Sequence, residues 1–306
     1  MYQSLLACCS DFHLYIFAFD DVCDQTLRKM NLESITVVSL KDFEDKELLQ
    51  AKSNRTRTEY CWTCTSSTIL YCLEKYKLSN CTYIDADLFF YQSPERLINE
   101  KPDAYHVMIT SHRYTSYYDQ SKRSGKYCVQ FMYFDNTEKS LEVLSWWRER
   151  CLEWCYNRIE DGKFGDQKYL DDWTSRFDCV WELKNLGGGL APWNIQQYWF
   201  INSNEGVEIK TGSDFTPVFY HFHGVKFYEN RKVVFAPNTY YISKKVEEIF
   251  YRPYLENLQR SKQVIQHFNN TFDPHGSHPS SSYFTDKYVK GKLNYFYCNF
   301  IKRIFS

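Results

Sequence analysis

The sequence predicts an α/β protein, a mostly parallel sheet flanked by helices, with a helical and basic C-terminal tail. Two observations carry that expectation. Short apolar runs alternate with helical stretches over the first third of the chain, the beat of parallel strands joined by crossover helices. One of those runs then ends on two carboxylates, in "CTYIDADLFF", and open α/β sheets bind their ligands beyond the carboxyl ends of strands.

Taken in order, "HLYIFAF" (13–19) reads as a buried strand, a helix follows over 21–30, and "SITVVSL" (34–40) is the next strand. A long helix is expected over 56–77, leading into "CTYID". After the acidic pair, "SPERLI" has a helix start, with Ser93 as cap and Pro94 at the first position. "AYHVMIT" and "YCVQFMYF" read as two further strands, and 138–159 as an amphipathic helix crowded with Trp146, Trp147, Cys151, Trp154 and Cys155. "GKFGDQKYLDDW" is a turn opening a short helix, and "PVFYHFHGVKF" is a closing strand. Residues 1–240 form the expected main domain, 241–268 a C-terminal helix, and 269–306 a linker and basic aromatic tail. The opening "MYQSLLACC" reads as the helix that follows a first strand, so that strand is expected to be missing or supplied differently.

Bulk composition narrows the function. The 306 residues carry 37 basic and 38 acidic side chains, a balance that argues against a nucleic-acid partner. Twelve cysteines in a chain of this size, with no secretory leader read at its start, predict reduced thiols and a cytoplasmic protein. The pairs Cys61/Cys64 and Cys151/Cys155 lack histidines at zinc-finger spacing. No run reaches the roughly 18 apolar residues of a membrane span. In 283–306, however, five basic residues against one acidic one are interleaved with eight aromatic side chains, a composition suited either to an anionic membrane face or to a helix packed on the main domain.

Three elements carry chemistry. Asp85 and Asp87 at a strand end offer hard oxygen ligands for Mg²⁺ or Mn²⁺, which would bridge to a diphosphate; the plainer reading is a solvated turn. His221 and His223 alternate on an aromatic strand, so one imidazole faces inward, either to complete a carboxylate site or as a satisfied core histidine; Lys226, beyond Gly224, is placed to pair with phosphate. Asp166 and Gln167 follow the turn residue Gly165, and on these residues alone a helix cap is favoured over a role beside a reacting carbon.

Together, over residues 2 to 226, these elements resemble the GT-A class of nucleotide-sugar glycosyltransferases, in particular the bacterial glycogenin-like and lipooligosaccharide galactosyltransferase group. The resemblance implies a GT-A (Rossmann-like) fold and a hexosyltransferase. Its donor is a nucleoside diphosphate sugar, with UDP as the expected nucleotide, and its acceptor a glycan or lipid-linked molecule of surface polysaccharide synthesis. Asp85 and Asp87 match the DxD motif and His221 the histidine of HxxG, the expected ligands of Mn²⁺ or Mg²⁺. Asp166 and Gln167 match the Asp-Gln pair beside the donor sugar, which implies a retaining reaction. Arg57, Arg113, Cys128, Gln130 and Lys226 are the expected donor-binding residues. Where that group has Asn, a small residue and Gly, this chain has Cys128, Val129 and Gln130. Two rival readings stand beside it: a metal-dependent nucleotidyltransferase or phosphohydrolase, and a non-catalytic sugar-nucleotide-binding relic.

Overall fold

The computed structural model describes residues 1–203, 206–210 and 214–284. The tail expectation falls mainly on 285–306, outside the described residues. Strand β1 (Leu14–Ala18) pairs in parallel with β2 (Ile35–Ser39). Strands β3 (Asn80–Ile84) and β4 (Leu88–Phe90) flank the acidic pair. Then come β5 (Val107–Ser111), β6 (Tyr127–Asp135) and β7 (Val180–Glu182). A meander of β8 (Trp199–Ser203), β9 (Gly206–Lys210) and β10 (Asp214–Phe215) precedes β11 (Phe219–His221), which pairs antiparallel with β4.

The α/β class is as expected, but the parallel share is smaller. The four-stranded sheet has the order β3-β6-β5-β7; β6 runs antiparallel to both its neighbours, and only β5 and β7 pair in parallel. A strand buried on both faces is apolar throughout in either direction, so "YCVQFMYF" could not reveal its orientation. Eight of the nine β6 residues are buried.

Both faces of this sheet are covered. On one, Ile69 and Leu73 of the helix Arg57–Lys75 and Val143, Leu144 and Trp147 of the helix Glu138–Glu153 pack on Val107, Ile109, Val129 and Phe134. On the other, Leu5 and Cys9, from the helix Tyr2–Cys8 and its cap, join Leu88, Phe90, Met108, Phe131 and Phe219. Thr56 and Glu59 form a reciprocal capping box that fixes the start of the first of these helices. The register of β5 against β6 shifts between Met108 and Thr110, and the Thr110 hydroxyl donates to the Phe131 carbonyl at 2.9 Å. Such irregularities re-aim side chains; here the affected stretch of β6 holds Cys128 and Gln130.

Two other expectations change in extent. The helix expected to run to 159 stops at Glu153, because Trp154 turns extended and its indole donates to Glu160. The strand expected over 217–227 is broken at Gly224, whose φ of +78° is left-handed, into β11 and β12 (Lys226–Phe227). Of residues 241–268, the helical part begins at Lys244 and ends with the helix Arg252–Phe268. Phe250, Tyr251 and Tyr254 pack against Tyr220 and Phe222, with the Phe222 and Tyr254 rings stacked at 3.7 Å. This packing holds β11 against the site from behind.

Candidate metal centre

Chain geometry alone brings the three ligand candidates together. β3 ends at Ile84, and the chain turns through Asp85-Ala86-Asp87 with Leu88 N–H donating to the Asp85 carbonyl. It returns as β4, whose Leu88 pairs with His221 of β11, so the histidine lies across the ladder from the turn. Its Nε2 is 3.0 Å from Asp87 Oδ1 and 3.7 Å from Asp85 Oδ2. One ligand atom from each of the three residues lies within 4.8 Å of the others.

The surroundings orient the histidine. Its Nδ1 is 2.7 Å from Gln130 Oε1. An amide oxygen only accepts, so Nδ1 carries the proton and Nε2 is turned toward the carboxylates. Trp193 stands edge-on to the imidazole at 5.3 Å. Asp85 accepts a hydrogen bond from the Tyr83 hydroxyl at 2.9 Å.

Charge and burial oppose one another here. Burial raises the Asp85 carboxyl above its ordinary value; the His221 charge works against that rise and the Asp87 charge adds to it. Burial pushes Asp87 the same way, but the charge and hydrogen bond of His221 overcome it and hold this carboxyl low. Burial would depress the His221 imidazole, yet the two carboxylates outweigh it and raise it well above its ordinary range. Two carboxylates facing one imidazole, whose Nε2 would exchange any proton for the metal, form a site that a divalent cation suits. Two carboxylate oxygens and one imidazole nitrogen converge here, so the residues present fit a divalent metal ion.

Asp166 joins this group. It is buried, it sits in the field of Asp85, and it makes no side-chain cap bond. The cap favoured from sequence is therefore not what it does. Burial pushes its carboxyl up to about 7, opposed by a hydrogen bond from Thr65 and reinforced by Asp85. Its carbonyl accepts from the Trp147 indole at 2.9 Å, which ties it to the core. Gln167 turns its amide to the Ser124 carbonyl at 2.6 Å.

The expected donor-binding residues are spread more widely. Gln130 is fully buried behind His221, and Cys128, also buried, lies against the same imidazole. Arg113 has a φ of +48° and binds the carbonyls of Asn185 and Gly188, holding the "NLGGGLAPWN" loop. Arg57 pairs with Asp20 at 3.0 Å, an exposed contact beyond the carboxyl end of β1. Lys226 opens β12, just past the Gly224 turn. Tyr83, Trp193, and the use of Gln130 to orient His221 were not read from the sequence. A tyrosine two residues before a strand-end Asp shares its face, and that spacing was the available signal for Tyr83.

Fold and triad together define an α/β protein with three convergent side chains able to hold a divalent ion. No family model matches the chain. It is 34% identical to the Bacillus subtilis protein YfnD over 274 residues, covering 87% of this chain and 86% of that protein. It is 30% identical to YfnF of the same organism over 233 residues, covering 74% and 76%. The chain belongs to the family of these two proteins. Among solved structures, mouse xyloside xylosyltransferase 1 in its apo form matches with a TM-score of 0.41 at 10% identity, over 72% of this chain and 89% of that one. A glycosyltransferase involved in glycosylation of the major capsid of PBCV-1 matches with a TM-score of 0.37 at 8% identity, over 69% and 92%.

Proposed function

We propose that this protein is a metal-dependent glycosyltransferase of GT-A type that moves a hexose from a nucleoside diphosphate sugar, UDP being the expected nucleotide, to a glycan or lipid-linked acceptor in surface polysaccharide synthesis. The observation that carries the reading is the convergence of Asp85, Asp87 and His221 at a strand end, with Asp166 buried beside them. Their order along the chain, DxD, then Asp-Gln, then HxxG, is the order in the class that the sequence resembles.

Asp85, Asp87 and His221 would hold Mn²⁺ or Mg²⁺, which when bound supplies a positive charge to a departing diphosphate. Gln130 keeps the His221 Nε2 lone pair available by accepting a hydrogen bond from Nδ1–H. Lys226, beyond the turn, is assigned to the phosphates. Asp166 and Gln167 are assigned to the donor sugar, where a carboxylate held in a buried setting suits a retaining reaction. Of the other expected donor contacts, Arg57 is assigned to the donor from its exposed pairing with Asp20, while Arg113 holds the 185–194 loop and Cys128 lies against His221. The basic aromatic segment 283–306 would hold the enzyme at an anionic cytoplasmic membrane face; no helix among the described residues is long and apolar enough to cross a membrane.

The test separates transfer from hydrolysis. With Mn²⁺ and a panel of nucleoside diphosphate sugars, release of the nucleoside diphosphate should depend on an added glycan or lipid-linked acceptor, and labelled sugar should appear on that acceptor. Cleavage between the phosphates, or release indifferent to acceptor, would favour a phosphohydrolase instead.

A further inference from the structure

A file of aromatic rings leads outward from the metal centre. Trp193, edge-on to His221, has its ring centroid 6.4 Å from that of Tyr240. Tyr240 meets Tyr118 edge-on at 5.4 Å, and Tyr118 meets Tyr117 edge-on at 5.1 Å. Burial falls along the way: Trp193 is 4% exposed, Tyr240 and Tyr118 are half-buried, and Tyr117 and the neighbouring Tyr241 are 54% and 67% exposed. Three segments of chain carry these rings, and hydrogen bonds tie the segments to one another. Thr115 N–H donates to the Trp193 carbonyl at 3.0 Å, and the Gln196 side chain joins the Thr115 hydroxyl, at 3.2 Å, to the Tyr241 carbonyl, at 2.8 Å. The Tyr118 hydroxyl accepts from Tyr241 N–H at 3.1 Å, and the Tyr240 hydroxyl accepts from the Gln120 amide at 2.8 Å. The rings are thus set in place before anything binds. Tyrosines offer large rigid faces that lose little freedom on contact, and a contiguous exposed group of them marks a binding surface.

We propose that Tyr117, Tyr118, Tyr240 and Tyr241 form the docking surface for the acceptor, a neutral oligosaccharide of several sugar rings, and that the file guides its end past Trp193 to the metal centre. Calling the ligand an acceptor rests on the glycosyltransferase reading; calling it a sugar rests on the rings. A pyranose has a face of C–H bonds and a rim of hydroxyls. The C–H hydrogens suit the electron-rich face of an aromatic ring, and the rim suits the hydroxyl tip of a tyrosine and the amides beside it. Charge argues against other occupants. Over 115–120 and 238–241 the only charged residue is Asp119, whose carboxylate accepts from Ser121 N–H at 2.8 Å. An anionic lipid face or a nucleic acid calls for a cluster of Lys and Arg instead. Position supplies the link to the reaction. Tyr240 packs against the cluster of Cys128, Ala191 and Trp193, directly beside His221, so a chain laid on the outer tyrosines points its end at the metal ligands. The outer rings then favour an extended glycan over a single sugar.

The probe is a printed array of neutral and acidic oligosaccharides with their monosaccharides, incubated with the full chain in EDTA so that retention reads the rings without the metal. Retention of neutral oligosaccharides, indifferent to salt and weak for monosaccharides, is expected. Tyr117→Ala combined with Tyr241→Ala removes two stacking faces at exposed positions and should weaken retention about tenfold or more, with circular dichroism unchanged. Tyr117→Phe combined with Tyr241→Phe keeps the faces and should retain glycan. A blank array, as for a surface that takes a protein, would overturn the proposal, and so would retention undiminished in the double alanine variant. Retention of acidic glycans alone, lost in salt, would also overturn it, because Lys122 and Arg123, which follow directly, would then carry the binding in place of the rings. The two readings fail separately. A chain that retains glycan through these rings yet never transfers sugar removes the transferase reading and leaves the glycan site, whereas metal-dependent transfer with retention untouched by the double variant does the reverse.

Discussion

Replacing Gln130 by Met asks whether the buried amide acts on the metal site through His221. The substitution nearly conserves volume at a fully buried position and removes the acceptor 2.7 Å from Nδ1. It also removes the Gln130 Nε2 donor, which is buried without a partner, so the stability cost has an offset. The lost hydrogen bond is worth about 1 kcal/mol, and leaving Nδ1–H unmet adds a further 1 to 3 kcal/mol at most. Metal affinity should suffer more specifically. Removing the group that orients a ligating histidine typically costs about 10- to 100-fold, or roughly 1.4 to 2.7 kcal/mol of binding. Titration of the metal-free protein with Mn²⁺, followed by the loss of the free-ion electron paramagnetic resonance signal, reads this directly, and circular dichroism checks the fold. An affinity within twofold of the parent, in a folded variant, would refute the assignment of Gln130 as the histidine's positioning residue.

Other outcomes follow from the same geometry. Asp87→Ala should abolish Mn²⁺ binding and turnover while leaving the far-ultraviolet dichroism unchanged; near-normal turnover would remove Asp87 from the metal site. Asp166 binds its proton up to about pH 7 in the folded chain against an ordinary 3.8, so between those values the native state holds a proton that the unfolded chain has released. In EDTA, stability should therefore fall as pH rises through that window, by at most about 1.4 kcal/mol per pH unit, and Asp166→Asn should flatten the decline in urea unfolding series; parallel pH profiles would contradict the burial argument. Gly224→Ala forces a side chain onto a φ of +78° and places its Cβ 2.5 Å from Pro237 Cδ. The backbone term alone costs about 1 to 3 kcal/mol, and thermal melting should show the loss together with weaker Mn²⁺ binding.

What the sequence could reveal divides along a physical line. Local signals were legible: the helix Asp21–Met30 starts where Asp20 caps it, with the Asp20 carboxylate accepting from Cys23 N–H, and both of its ends were read from the sequence. Asp85 and Asp87 were legible because strand, acidic pair and turn are contiguous, and His221 because it alternates on an aromatic strand and matches the HxxG histidine of the class the sequence resembles. Partnerships across the sheet were not. That Gln130 reaches His221 depends on the irregular register of β5 on β6 and on β11 closing over β4, which no single stretch encodes. The antiparallel course of β6 was hidden for the same reason, since Tyr127 to Phe134 is equally apolar whichever way it runs. The helix end at Glu153 was set by tertiary contacts: Arg55 stacks over Tyr156 at 3.8 Å and Asn157 N–H bonds Glu59 at 2.8 Å, pulling the chain off its helical course.

The most direct test of the central claim is donor binding. Thermal shift of the full chain against UDP-, GDP-, CMP- and dTDP-sugars, each with Mn²⁺ and again with EDTA, should show stabilisation by one nucleotide class with Mn²⁺ only, lost in Asp87→Ala. Stabilisation equal in EDTA, or none by any nucleotide sugar with Mn²⁺ bound, would contradict a metal-bridged donor at Asp85, Asp87 and His221.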